Sequence, residues 1–143
     1  MEKLNIKQVK NKKEYNKILK IREIVFIKEQ NVPKEIEMDE FDKDAKHFIV
    51  YLKNKSIGCA RIRKINNYVK LERIAILKEY RGRGFGKDLT NFLINYCKKI
   101  GFNEIQLHSQ IYISNFYEKL GFKSIGKKFL EADIKHIKMI RRI

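Results

Sequence analysis

The sequence predicts one α/β domain on a mixed, mainly antiparallel sheet. Three observations carry this expectation. Three consecutive strand-like runs fill residues 46–77, separated only by short turns. A strongly amphipathic helical pattern follows, with Phe85, Leu89, Phe92, Leu93, Tyr96, Cys97 and Ile100 at three- and four-residue steps. Between the two lies a segment rich in glycine and arginine, Arg81 to Gly86. A length of 143 residues suits a single core, so one domain is expected over residues 1–143.

Taken in order, "LNIKQV" (4–9) alternates and reads as a strand. Asn11, with Glu14 three residues on, has the form of a capping box, so a helix starts there. Tyr15, Ile18, Leu19, Ile21 and Val25 keep helical spacing. Residues 28–45 are polar and carry the only proline, Pro33. They read as a long loop with room for one helical turn, a length that is uncommon unless functional. Its acidic residues Glu35, Glu37, Asp39 and Glu40 are expected on a solvated surface.

Three strands then make an antiparallel meander, at 46–53, 55–65 and 66–77, with turns near Asn54 and at Asn66-Asn67. Gly101 ends the amphipathic helix as a left-handed residue would. A strand at 103–109, a short helix at 113–120 stopped by Gly121, and strands at 122–130 and 134–142 complete the chain. The order is β-α-loop-β-β-β-α-β-α-β-β.

Composition narrows the function. A 43% hydrophobic content is that of a globular chain. No run of about 18 apolar residues is present, so no membrane span is expected. The N-terminus lacks the apolar stretch of a secretory signal, which leaves a cytoplasmic location as the expectation. Cys59 and Cys97 form no CxxC pair and read as small buried hydrophobes, with no metal site expected. The net charge of +16 favours polyanionic partners. Its lysines, however, are scattered along the chain, as on a solvated surface. A basic nucleic-acid-binding module is the alternative from another class, supported by this charge and by Arg-Gly-Arg-Gly beside an aromatic residue. Against it, the Tyr and Phe residues fall mostly on core-periodic positions instead of an exposed stacking face.

The glycine segment fails two phosphate-binding patterns. A P-loop needs glycine at 81 and a hydroxyl at 88, where the chain has Arg81 and Asp88. A GxGxxG starting at Gly82 needs glycine at 87, which is Lys87. The physical reading survives both failures. A glycine loop between a strand and a helix start lets backbone N–H groups face outward, and the helix dipole adds positive potential. Such a corner binds phosphate, with Arg81, Arg83 and Lys87 as mobile cations around it.

The spacing Arg81-x-x-Gly84-x-Gly86 resembles the R/Q-x-x-G-x-G/A signature of the GNAT acyl-CoA N-acyltransferases, and "NFYEKLGFK" (115–123) is similar to the family's FYEKLGF element. The ElaA-like branch is resembled further by "REIVFIKEQNVPKEIEMDEFD" (22–42), "GCARIR" (58–63), "HSQIY" (108–112) and "IKHIKM" (134–139). The resemblance implies the GNAT fold and transfer of an acetyl group from acetyl-CoA, a co-substrate, to a primary amine by direct attack. The acceptor is a small molecule or peptide, the chain a monomer or homodimer, and a GNAT that binds acyl-CoA without turnover is the variant alternative. By the same resemblance the cofactor site comprises Arg81, Gly82, Arg83, Gly84, Phe85, Gly86 and Lys87 around the pyrophosphate. The backbone of Ile74, Ala75 and Ile76 lies along the pantetheine. Gln110 joins the site where many family members have Asn. Tyr117 protonates the leaving thiol, and Glu72 and His108 are the candidate bases.

Overall fold

The computed structural model describes residues 3–143. Strand β1 (Leu4–Gln8) leads into α1 (Lys12–Arg22), which runs without a break into a π-helical segment, Glu23–Glu29. A single turn, α2 (Lys34–Glu37), precedes the meander β2 (Lys46–Leu52), β3 (Lys55–Ile65) and β4 (Tyr68–Ile76). Helix α3 (Phe85–Lys99), β5 (Glu104–Gln110), α4 (Ser114–Lys119), β6 (Lys123–Glu131) and β7 (Ile134–Arg142) follow. The seven strands form one sheet in the order β1-β2-β3-β4-β5-β7-β6. β4 and β5 are parallel, and the other described pairs are antiparallel.

Local chemistry accounts for the boundaries. The Asn11 side chain accepts a 2.8 Å hydrogen bond from Glu14 N, capping α1. Lys53 and Asn54 both take positive φ, 49° and 70°, as a two-residue hairpin with the right twist demands. Each face of the sheet carries its own core. On one, Phe48, Val50, Ile62 and Leu71 pack against Leu89, Leu93 and Cys97 of α3 and Tyr117 of α4. On the other, Ile18, Ile21 and Val25 cover Ile49, Cys59 and Ala75. The thiols of Cys59 and Cys97 are both pushed up to about 12 by burial, which makes them inert hydrophobes.

The segment expected to be a solvated loop is where the structure departs from the sequence reading. Glu37 is 1% exposed and Asp42 6%. Only Glu35 and Glu40 of the four acidic residues named there are fully exposed. The reason is a pair of buried guanidinium groups, Arg22 and Arg61, at 1% and 0% exposure. Arg22 Nε donates to Glu37 Oε2 at 2.8 Å and its Nη1 to Asp42 Oδ2 at 2.8 Å. Arg61 donates to Asp39 Oδ1 at 2.6 Å, Asp42 Oδ1 at 2.8 Å and Glu72 Oε1 at 2.9 Å. Asp42 also accepts from the Tyr15 hydroxyl. Buried cations with their acceptors satisfied cost little net energy, but removing one partner strands a charge. The 30–45 segment is therefore pinned to the sheet from beneath.

We expect Glu37→Ala to lower unfolding free energy by about 3–5 kcal/mol, read by urea denaturation. Glu35→Ala, at an exposed site, should change it by less than about 0.5 kcal/mol. Acid sensitivity follows from Asp42. Burial opposes its ionisation, yet hydrogen bonds from Arg22 and Tyr15 outweigh that and hold it at about 2. A carboxyl depressed on folding stabilises fully above its unfolded value, near 4, and loses that contribution as pH falls toward 2. The Asp42 contribution to the urea midpoint should thus be constant above pH 5 and be lost between pH 4 and 2. In Asp42→Asn this loss should vanish.

Candidate functional site

Strand β4 carries an extra residue at its centre. Cys59 pairs with Ala75, but Arg61 pairs with Glu72, so three steps on β4 span two on β3. Arg73 takes up the excess at φ 53°, an uncommon left-handed conformation for arginine. The bulge sends Glu72 and Arg73 to the same side. Glu72 meets Arg61 and Arg63, while Arg73 Nε donates to Glu37 Oε2 at 2.9 Å. Ile74 then turns to the α3 face.

Next to the bulge the sheet forks. β4 and β5 pair over only three rungs, Val69 to Leu71 with Ile105 to Leu107. Beyond them, residues 72–74 and 108–110 line a cleft of about 360 Å³. Leu71, Glu72, Arg73 and Ile74 line one side, His108, Ser109 and Gln110 the other, with Tyr117 in the same lining. An unpaired strand edge in a cleft offers N–H and C=O groups to an extended ligand.

The glycine segment stands just past the end of β4. Gly82 and Gly84 sit at φ 82° and 84°, and nothing lies within 4 Å of where a Cβ would be on either. Glycine is needed there for the backbone angle, and the space above the loop is open. α3 begins at Phe85 with no side chain capping it. A Cβ on Gly86 would sit 3.6 Å from Phe116 Cζ, so the glycine segment and the "NFYEKLGFK" segment meet directly.

The cations around this loop are used differently from expectation. Arg81 is not a mobile cation. Its Nε donates to Ile76 O at 2.8 Å, and its two terminal nitrogens reach Glu29 at 2.6 and 3.0 Å. It fixes the end of β4 to the π-helical segment. The Arg83 guanidinium lies 5.6 Å from the Tyr80 ring centroid. Arg83 and Lys87 flank the open loop and the first turn of α3.

Of the candidate chemical groups, Tyr117 is buried at the cleft between the edges of Phe116 and Phe122. Burial pushes its phenol up to about 12, so it stays protonated. Glu72 is not a free carboxylate. Burial opposes its ionisation, but the Arg63 hydrogen bond and the charges of Arg61 and Lys70 win and hold it below its ordinary value. Its Oε1 alone accepts from Arg61 and from Arg63, the latter at 2.6 Å. His108 Nδ1 lies 3.0 Å from Glu131 Oε1. Gln110 Nε2 donates to Gln30 Oε1 at 2.9 Å, linking the end of β5 to the first wall.

Sequence reasoning missed Glu131, Gln30, Arg63 and Lys70, all of which line the cleft. An Arg and a Lys predicted on adjacent strands next to Glu72 were the visible signal for two of them. Glu131 sits at a hairpin end and carried none. Among the described residues no cluster of His, Cys, Asp or Glu could hold a metal ion.

Comparison with known proteins accords with this geometry. The acetyltransferase (GNAT) domain family matches residues 9–143. The chain is 38% identical to YyaT of Bacillus subtilis, over 98% of this chain and 97% of that one. It is 37% identical to the N-acetyltransferase YjcF of Bacillus subtilis, over 92% and 95% of the two chains. Among solved structures, Escherichia coli ElaA superposes with a TM-score of 0.86 at 24% identity, covering 99% of both chains. A Bacillus subtilis acetyltransferase in complex with CoA superposes at 0.75 with 18% identity and 99% coverage of both. With the family matched from the end of the first strand to the last residue, the chain is a member of the GNAT acetyltransferases.

Proposed function

We propose that this protein transfers an acetyl group from acetyl-CoA to a primary amine of a small molecule or peptide, in the cytoplasm. One observation carries the reading: the forked sheet opens beside a glycine loop whose backbone faces free space at the start of α3. The bound CoA in a structural neighbour of the same fold supports the choice of co-substrate.

The roles follow from position. Main-chain N–H groups of residues 82–87, with Arg83 and Lys87 beside them, hold the pyrophosphate at the helix N-terminus. The β4 edge that β5 leaves open at Ile74, Ala75 and Ile76 pairs with the pantetheine amides through backbone groups other than Ile76 O, which Arg81 holds, and an N–H at the bulge polarises the thioester carbonyl. Gln110 borders the pantetheine from β5. Arg81 acts at one remove, by anchoring β4 and the loop.

The acceptor amine arrives as an ammonium and must lose a proton before it attacks. His108 takes that proton, since Glu72 is already committed to its cations. The amine nitrogen bonds to the carbonyl carbon and the C–S bond breaks. Tyr117 donates a proton to the leaving sulfur and is reprotonated by the nitrogen's second hydrogen. A phenol held at about 12 is protonated across the working range, as a donor must be.

Acetyl-CoA at about 100 times its Kd should stabilise the fold by about 2.7 kcal/mol, seen as a rise in Tm. Gly84→Glu places an anion over the loop, and the shift should disappear while the unliganded protein still melts cooperatively. A retained shift would remove the loop from the cofactor site. Tyr117→Phe should cut kcat by roughly 10²–10⁴, measured as CoA release over an amine panel. Its acetyl-CoA Kd should stay within about threefold, a difference of about 0.65 kcal/mol.

A further inference from the structure

The hairpin β6–β7 closes over the free end of β5. His136, Ile137 and Lys138 of β7 pair with Gln110, Ser109 and His108. β6 does not follow β7 evenly. Ile125 pairs with Lys138 and Phe129 with His136, so four steps on β6 span two on β7, with Gly126 at φ 80° in the excess. Beyond this bulge Phe129 and Glu131, two apart on one face, both meet His108. The Phe129 ring stands edge-on to it at 4.9 Å, and Glu131 Oε1 is 3.0 Å from its Nδ1. On the far side Glu131 Oε2 is 3.8 Å from His136 Nε2.

Hydrogen-bond partners fix the protons. The His108 hydrogen bond outweighs burial and holds the Glu131 carboxyl below its ordinary range, so it is ionised at neutral pH and only accepts. The hydrogen between them therefore sits on His108 Nδ1. In the neutral ring Nε2 then carries the lone pair. His136 is oriented by a different partner, its Nδ1 donating to Ile134 O at 2.6 Å. The titratable and charged groups around His108 are Glu131 on β6, His136 and Lys138 on β7, and Lys70 on β4, which acts on Glu131 through charge.

We infer that Glu131 is a positioning residue for His108, setting the ring tautomer whose Nε2 serves as the base for the acceptor amine. This rests on the transferase reading above. The ammonium of the acceptor gives one proton to Nε2. The imidazolium so formed is offset by the Glu131 carboxylate, as in other base–orienter pairs. With its side chain 24% exposed, His108 returns that proton to solvent, one per turnover. The amine's other displaced hydrogen ends on the CoA thiol through Tyr117.

The test reads the tautomer first and needs no acceptor. The full chain contains three histidines, so long-range ¹H–¹⁵N spectra give three ring systems to assign. At pH 8, with acetyl-CoA bound, His108 should show Nδ1 protonated and Nε2 bare. Glu131→Leu should move it toward the Nε2–H form. Glu131→Gln keeps an acceptor oxygen without the charge and should restore the tautomer. Turnover is then followed as CoA release with spermidine, glycine, kanamycin and a lysyl peptide as acceptor probes. On any probe that is acetylated, Glu131→Leu should lower kcat at least tenfold, Glu131→Gln by less, and KM for acetyl-CoA should hold in both.

An Nε2–H tautomer in the native protein overturns the proposal, as does an unchanged tautomer or kcat in Glu131→Leu. Should Glu131→Leu not fold, the native tautomer and Glu131→Gln decide alone. Failure of the transferase reading shows separately, as absence of any acetyl-CoA thermal shift in the native protein.

Discussion

A guanidinium in the middle of a sheet must be surrounded by acceptors, and Arg61 imposes that demand on its whole neighbourhood. It is 0% exposed on β3, and its acceptors come from the 30–45 segment and from β4. Asp39 and Asp42 must fold down to it, Glu72 must face it, and Asp42 and Glu37 then draw in Arg22 from α1. The Arg73 bulge belongs to the same demand. It supplies a further cation to Glu37 and Asp39 and turns Ile74 to the other face of the sheet. One wall of the cleft is thus held by charge pairing more than by apolar packing. The exposed side chains Ile36, Met38 and Phe41 on this segment show how little hydrophobic burial holds it.

The loop at the other end of β4 follows a different logic. Phosphate recognition by backbone N–H groups, the role proposed for it, needs a fixed frame and no obstructing Cβ. Gly82 and Gly84 remove the obstruction, and Arg81 supplies the frame by tying Ile76 O to Glu29. An arginine that looks like a phosphate ligand in the sequence is spent on holding the strand end still. Gly86 sits beside Phe116, where a Cβ would lie in ordinary contact at 3.6 Å from the ring, so this corner adjoins the helix that carries Tyr117.

Most of the architecture was legible because it is written in local patterns. Strand alternation, the Asn11 cap, the Asn54 hairpin and the glycine stops at 101 and 121 are all short-range, and the strands and the helices α3 and α4 fell within about two residues of their expected bounds, whereas the π-helical continuation of α1 to Glu29 was not foreseen. The two family motifs were legible for the same reason, being contiguous. What stayed hidden is long-range pairing of polar residues. Arg22 with Glu37, Arg61 with Asp39 and His108 with Glu131 are 15, 22 and 23 residues apart. A buried ion pair and a solvated charge have the same appearance in a sequence, so Glu37 read as surface. The bulges at Arg73 and near Gly126 were hidden too, since a register shift leaves hydrophobic alternation only locally disturbed.

Charge pairing also decides which wall can do proton chemistry. For Glu72 to act as a base it would have to accept a proton while Arg61 and Arg63 point at it. The proton would remove one of the three carboxylate partners of a fully buried guanidinium, and the carboxylate partner of Arg63 as well, which disfavours it. His108 faces the opposite balance. In the proposed reaction its protonation would place the new positive charge directly beside the ionised Glu131. On the proposed mechanism the ion-paired wall keeps its charges while charge changes on the other side of the cleft. The fork between β4 and β5 separates the two: the buried ion pairs lie on the β3–β4 side, and the proposed base on the side of β5 and the β6–β7 hairpin.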